Sequence, residues 1–127
     1  MTTSDLVKYR IERSLESLDE AKILAREKHW NSTANRLYYS CFYLVNALLL
    51  KNGVNYSTHN GVKTEFHRQF IKTNIVSITS GKTYNRLFNL RQEGDYLDFK
   101  RLEEDDVNSF FSEVEDFINE IIHLINL

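Results

Sequence analysis

Hydrophobic positions along the chain recur every three to four residues in long runs, and no run shows the strict two-residue alternation of a half-buried strand. Over residues 4–28, Ile11, Leu15, Leu18, Ala21, Leu24 and Ala25 fall at helical spacing among charged residues, which predicts an amphipathic helix with Ser4 as its N-cap. After a short connection at His29, Trp30 and Asn31, a second helix is expected over 32–52, capped by Ser32 or Thr33 and ended by Gly53 in the left-handed conformation. Ala34, Leu37, Cys41, Leu44, Val45 and Leu48 make one apolar face of it; Tyr39, Tyr43 and Leu50 make another, with Arg36 and Asn46 among them. A helix apolar nearly all round belongs at the centre of a bundle and along a subunit seam.

A third helix, capped by Ser57 or Thr58, runs to about residue 72 with Val62, Phe66 and Phe70 inward and His59, Lys63 and His67 on a neighbouring stripe. A link over 73–81, carrying Ile75, Val76 and Ile78, leads to a fourth helix over 82–93, whose inward face is Tyr84, Leu87, Phe88 and, by the same spacing, Arg91. Gly94 is expected to stop it, with a second link over 95–101. The acidic run Glu103, Glu104, Asp105 and Asp106 suits a helix start, and the last helix reaches Ile125 with Val107, Phe110, Phe111, Val114, Phe117, Ile118, Ile121 and Ile122 inward. The reading is an all-α fold, an antiparallel up-and-down bundle of four main helices plus a short extra helix, in one domain over 1–127.

Composition agrees with this. The 127 residues include no Pro and only 4 Gly, too little punctuation for a sandwich or barrel. The single Cys41 excludes an intramolecular disulfide and fits a reducing compartment. The longest apolar stretch, 41–50, is too short to span a bilayer, and MTTSDLVKYR has no signal-peptide character, so a cytoplasmic protein without membrane contact is expected. Charge adds something new. Residues 28–92 hold 9 basic side chains against a single acidic one, Glu65, whereas residues 93–127 hold 11 acidic and 2 basic ones. Either the fold sets a basic middle against an acidic tail, or it displays a basic surface to an anionic partner.

Few residues can carry chemistry. The four His are scattered, so neither a metal nor another cofactor is expected. There is no phosphate-cradling Gly-rich loop and no Gly-flanked nucleophile, and Cys41 reads as packing. Arg91 is the odd residue: a permanently charged guanidinium on an apolar face must find carboxylates, carbonyls or a bound anion. One reading is a buried ion pair with Glu93, Asp95 or Asp98; the other is an arginine at a groove floor holding phosphate. Arg36, among Tyr39 and Tyr43, raises the same question, and together the two would make a two-pronged anion site beside stackable rings, suited to a nucleotide or single-stranded RNA.

At these residues the chain resembles a known family. The run Ala34-Asn35-Arg36-Leu37-Tyr38-Tyr39-Ser40-Cys41-Phe42-Tyr43, then Thr58-His59-Asn60-Gly61-Val62, Phe70-Ile71-Lys72-Thr73 and Leu90-Arg91-Gln92-Glu93-Gly94-Asp95-Tyr96 are similar, in that order, to the small stand-alone prokaryotic branch of the HEPN domain family. The resemblance covers about residues 6–124 and implies a helical bundle that forms a homodimer with a groove between protomers. Many HEPN proteins are metal-independent ribonucleases, toxins or defence proteins encoded beside a small nucleotidyltransferase. Their signature is an Arg followed, after four to six residues, by a His. Arg91 matches the Arg, but the His positions hold Tyr96, Leu97 and Asp98. Cleavage needs a proton acceptor and a donor, and a phenol near pKa 10 is a poor base at neutral pH.

Three functions follow. The first is a non-catalytic module of a toxin–antitoxin or defence system, binding RNA or a nucleotide through Arg36, Tyr39, Arg91 and Tyr96. In such a system a nucleotidyltransferase partner would find Tyr96 as a modifiable hydroxyl. The second is a metal-independent endoribonuclease using Arg91, with His59 or His67 of the third helix supplying the catalytic imidazole. The third is a structural dimer or adaptor in which both arginines are internal ion pairs.

Overall fold

The computed structural model describes residues 1–98 and 100–127; Phe99, inside the expected 95–101 link, lies outside the described residues. Helix α1 (Thr3–Arg26) is capped by Thr2 rather than Ser4: the Thr2 hydroxyl accepts from the Asp5 amide and the Asp5 carboxylate accepts from the Thr2 amide, each at 3.1 Å. Its buried stripe is Ser14, Ser17, Leu18 and Ala21, flanked by the partly buried Val7 and Ile11, while Leu15 is 42% exposed. Small side chains at Ser14 and Ser17 let α1 approach α2 closely. There the Ser14 hydroxyl donates to the Ser40 carbonyl (2.7 Å) and the Ser40 hydroxyl to the Ser14 carbonyl (2.9 Å).

Helix α2 (Trp30–Lys51) is the central element, touching α1, α4 and α6, and the core cluster runs along it from Ala34 to Leu49. It begins at Trp30, two residues before the expected start, after a His29 N-cap that makes no side-chain hydrogen bond, and Gly53 follows its end at φ +81° as expected. Helix α3 (His59–Phe66), capped by Thr58, runs into a π turn (His67–Ile71) closed by the Lys72 amide on the His67 carbonyl. The core positions Val62, Phe66 and Phe70 are buried as expected.

Helix α4 (Ile78–Tyr96) is longer than the 82–93 expectation at both ends. Its start is set by Ser77, whose hydroxyl accepts from the Ser80 amide, and by Glu120 of α6. The Glu120 carboxylate accepts from the Ser77 amide (2.7 Å), the Ser77 hydroxyl (2.8 Å) and the Ser80 hydroxyl (2.7 Å). Although burial alone would raise it, these donors hold the Glu120 carboxyl below its ordinary value. Gly94 does not stop the helix. A side chain there would press on Leu102 (3.2 Å) and Asn31 (3.6 Å), and the Gly94 carbonyl accepts from Asn31 Nδ2 (3.1 Å), so this glycine serves a close crossing.

The acidic run forms a separate turn, α5 (Glu104–Val107), closed by a capping box between Glu103 and Asp106, and α6 (Phe110–Ile125) follows. Asn108 and Ser109, between the two, keep right-handed helical angles, so the interruption of the ladder is local. The described residues form an all-helical, antiparallel up-and-down bundle of four main helices, α1, α2, α4 and α6, with α3 and α5 as short additions. None of these helices is long and apolar enough to cross a membrane.

Candidate functional site

The inward face of α4 places Tyr84, Leu87, Phe88 and Arg91 against α2, as the spacing predicts, and Arg91 is only 2% exposed. Its guanidinium carbon lies 4.5 Å from the ring centre of Tyr38, 5.4 Å from Tyr96, 5.9 Å from Phe88 and 6.0 Å from Tyr39. Such cation–ring contacts are each worth about 1–2 kcal/mol when desolvated. Polar partners are sparse. Nη1 donates to the Tyr96 hydroxyl (3.2 Å), the Asp95 carboxylate stands off at 3.8 Å, and Nε is buried without an acceptor among the described residues. Of the three downstream carboxylates, Asp95 is therefore the partner, and it is shared with Asn35, whose amide donates to it at 2.8 Å. Glu93 sits instead near Lys100, at 3.9 Å.

Arg36 stands on the other flank of the same ring system. Its guanidinium carbon is 4.8 Å from the Tyr39 ring centre; Nε and Nη2 donate to Asn35 Oδ1 at 3.0 and 2.8 Å, and Nη1 is 3.5 Å from Glu20 of α1. Both guanidiniums thus lie within 6.0 Å of one ring, that of Tyr39. Arg36, Asn35, Asp95 and Tyr96 share the wall of an open groove of about 690 Å³ with Leu24 and Asn31. Arg91 lies beneath Tyr96, which is 69% exposed.

His59, at the start of α3, joins the cluster. Its Nδ1 is 2.8 Å from the Tyr38 hydroxyl, its Nε2 3.5 Å from the Tyr39 hydroxyl, and its ring centre 4.5 Å from that of Phe42. Burial pushes the Tyr38 phenol up to about 12, so it stays protonated. The arrangement this favours has Tyr38 O–H donating to Nδ1, with Nε2–H toward Tyr39. Burial, and then the charge of Arg91, lower the pKa of His59. His67 is not part of this group: its Nε2 pairs with Asn85 Oδ1 (2.8 Å) in the π turn, and burial lowers its pKa too.

The fold therefore brings Tyr39, His59, Arg91 and Tyr96 together around Tyr38, which the apolar stripe read from the sequence omitted, with Arg36 on the flank at Tyr39. The signal was present: Tyr38 is four residues after Ala34, three before Cys41 and seven before Val45, all on the buried face. Asp95 was among the expected partners of Arg91, but its bond to Asn35 joins two helices sixty residues apart and leaves no local pattern. Cys41 is fully buried, and burial pushes its thiol far up, leaving it unreactive. Among the described residues no group of three His, Cys, Asp or Glu converges as a metal site would require.

Residues 7–124 match the HEPN domain family. The UPF0332 protein of Thermotoga maritima is 41% identical over 120 residues, which cover 94% of this chain and 91% of that protein. Two proteins of Methanocaldococcus jannaschii are also similar. "Putative toxin MJ0605" is 33% identical over 111 residues, 87% of this chain and 82% of that protein. "Putative toxin MJ0142" is 37% identical over 86 residues, 68% of this chain and 58% of that protein.

Proposed function

The chain belongs to the HEPN domain family, and from that premise we propose that it is an RNA- or nucleotide-binding HEPN protein of a toxin–antitoxin or defence system. In this reading it acts in the cytoplasm as a homodimer beside a nucleotidyltransferase partner, and its ligand site is formed by Arg36, Tyr39, Arg91 and Tyr96. Two relatives named as toxins support the system. One observation carries the ligand. Arg13, Arg68 and Arg86 each hold a carboxylate at 2.6–2.8 Å, whereas the carboxylates nearest Arg36 and Arg91 stand at 3.5 and 3.8 Å. Among the arginines that pair with a carboxylate, the two of the aromatic cluster are the loosely held ones, which leaves charge beside the Tyr39 and Tyr96 rings for a phosphate, with those rings for a base.

The test is fluorescence anisotropy of a labelled single-stranded RNA across a salt series, with a gel of the same RNA in EDTA. Affinity should fall steeply with salt. Arg36→Ala should weaken it about tenfold, the worth of one charge-assisted contact, and the RNA should remain intact. Absence of binding at low salt overturns the reading.

A second reading, metal-independent ribonuclease, is favoured by Tyr38, whose ring lies under Arg91 while its hydroxyl meets His59. Cleavage in EDTA that disappears in both Arg91→Lys and His59→Gln would establish it. Against it, Nδ1 of His59 is already engaged by Tyr38.

A further inference from the structure

The only two basic side chains of residues 93–127, Lys100 and Arg101, fold back onto the turn between α1 and α2. There they meet Lys28, His29 and Trp30 around an open cavity of about 590 Å³ with no carboxylate in its wall. Asn31 holds this arrangement, its Nδ2 donating to the Lys100 carbonyl (3.1 Å) and its Oδ1 accepting from the Leu102 amide (2.7 Å). Lys100 is loosely paired with Glu93 at 3.9 Å, and among the described residues neither Lys28 nor Arg101 has a carboxylate within 4.0 Å.

Three full positive charges gathered on one rim repel one another, so the arrangement favours an anion between them. Trp30 supplies the second half of a ligand's chemistry. It is partly buried against the core, which holds it as a fixed indole wall on which a base can stack. Nothing at this end of α2 already serves an anion, since the helix starts with neither a side-chain cap nor an acidic residue in its first turn. Asn31 and Ser32 line this cavity and also the groove of Arg36 and Tyr96, so the two are neighbours.

We propose that the Trp30 cavity binds a nucleotide, its phosphate held by Lys28, Lys100 and Arg101 and its base stacked on Trp30. Resting on the RNA-binding reading above, it is the subsite that takes the next nucleotides of a strand seated at Arg36 and Tyr96.

Trp30 is the single tryptophan of the chain, so fluorescence excited beyond tyrosine absorption reports on this cavity alone. The experiment titrates the full chain with AMP, with inorganic phosphate and with a single-stranded hexaribonucleotide, following Trp30 emission and, for a labelled hexamer, anisotropy. Quenching by the hexamer is expected, weakened about tenfold by the exposed double change Lys100→Ala/Arg101→Ala, with the helical circular dichroism unchanged. Equal quenching by AMP identifies a free nucleotide as the occupant; quenching by the hexamer alone identifies a strand. Quenching by phosphate as strong as by either overturns the stacked base. A hexamer that binds by anisotropy without changing Trp30 emission overturns the cavity proposal and leaves the earlier reading standing. AMP quenching with no strand binding does the reverse. Quenching unmoved by the double change also overturns the proposal.

Discussion

Helix α2 is packed by several others, and its contacts with α1 and α4 are made of different materials. Toward α1 it offers Ser40, and the two serine hydroxyls spend their donors on each other's carbonyls. Toward α4 it offers Tyr38, and the group received there is a guanidinium with one nitrogen left unpartnered among the described residues. The serine side has an orphan as well, the Ser17 hydroxyl, but an unpaired hydroxyl costs far less to bury than an unpaired charge. The α1 contact is thus closed but for one hydroxyl, whereas the α4 contact keeps a charge in reserve.

The largest expected effect is steric. Ser40→Leu should force α1 away from α2 and cost about 3 kcal/mol in urea unfolding, the upper range for overpacking; a loss below about 1 kcal/mol would mean that the two helices are not in close register. Next comes the charge itself. Arg91→Ala should cost about 2–3 kcal/mol through the void left among the rings. Arg91→Met, similar in length and uncharged, should stay within about 1 kcal/mol of wild type. If Met costs as much as Ala, the guanidinium is there for stability and the reserve of charge is illusory.

A smaller effect separates the sides by pH. His59 and His67 both titrate below their ordinary 6.5 in the fold. The unfolded chain therefore takes up protons first as pH falls. Stability should be full above 6.5 and decline as pH drops from there toward the folded values, and Glu120 adds its own loss as pH falls below 4.5. His59→Gln should flatten part of that decline, and a pH–stability curve identical to wild type would detach His59 from the cluster. The smallest effect lies at Lys28, held at φ +61°. Lys28→Gly should relieve that strain and gain about 0.5–1 kcal/mol while weakening nucleotide quenching of Trp30, a trade visible by running both assays on one sample.

Periodicity was enough to find every main helix and the inward face of α4, Arg91 included, because burial imposes a 3.6-residue repeat that sequence displays directly. It misled at glycine and at the caps. Gly94 reads as a terminator by itself, and only the approach of Asn31 and Leu102 explains why it lies inside a helix. Likewise the early start of α4 depends on Glu120, a residue forty positions away. The candidate site was half legible: Arg36 and Arg91 carry unusual chemistry for their positions, with Tyr39 beside them, and the resemblance pointed to Tyr96 and His59. What stayed hidden was the joining, through Tyr38 and through Asn35 with Asp95, since long-range pairing leaves no local pattern.

Asn31 binds three points of the returning chain, the carbonyls of Gly94 and Lys100 and the amide of Leu102. With both ends of that stretch moored to one side chain, its length is set as firmly as its sequence. An inserted or deleted residue between 94 and 102 would pull at least one of the three bonds out of reach. The connection between α2 and α3 carries no comparable mooring to a distant side chain among the described residues. Length variation among relatives should therefore gather at 53–57 and be purged from 95–101.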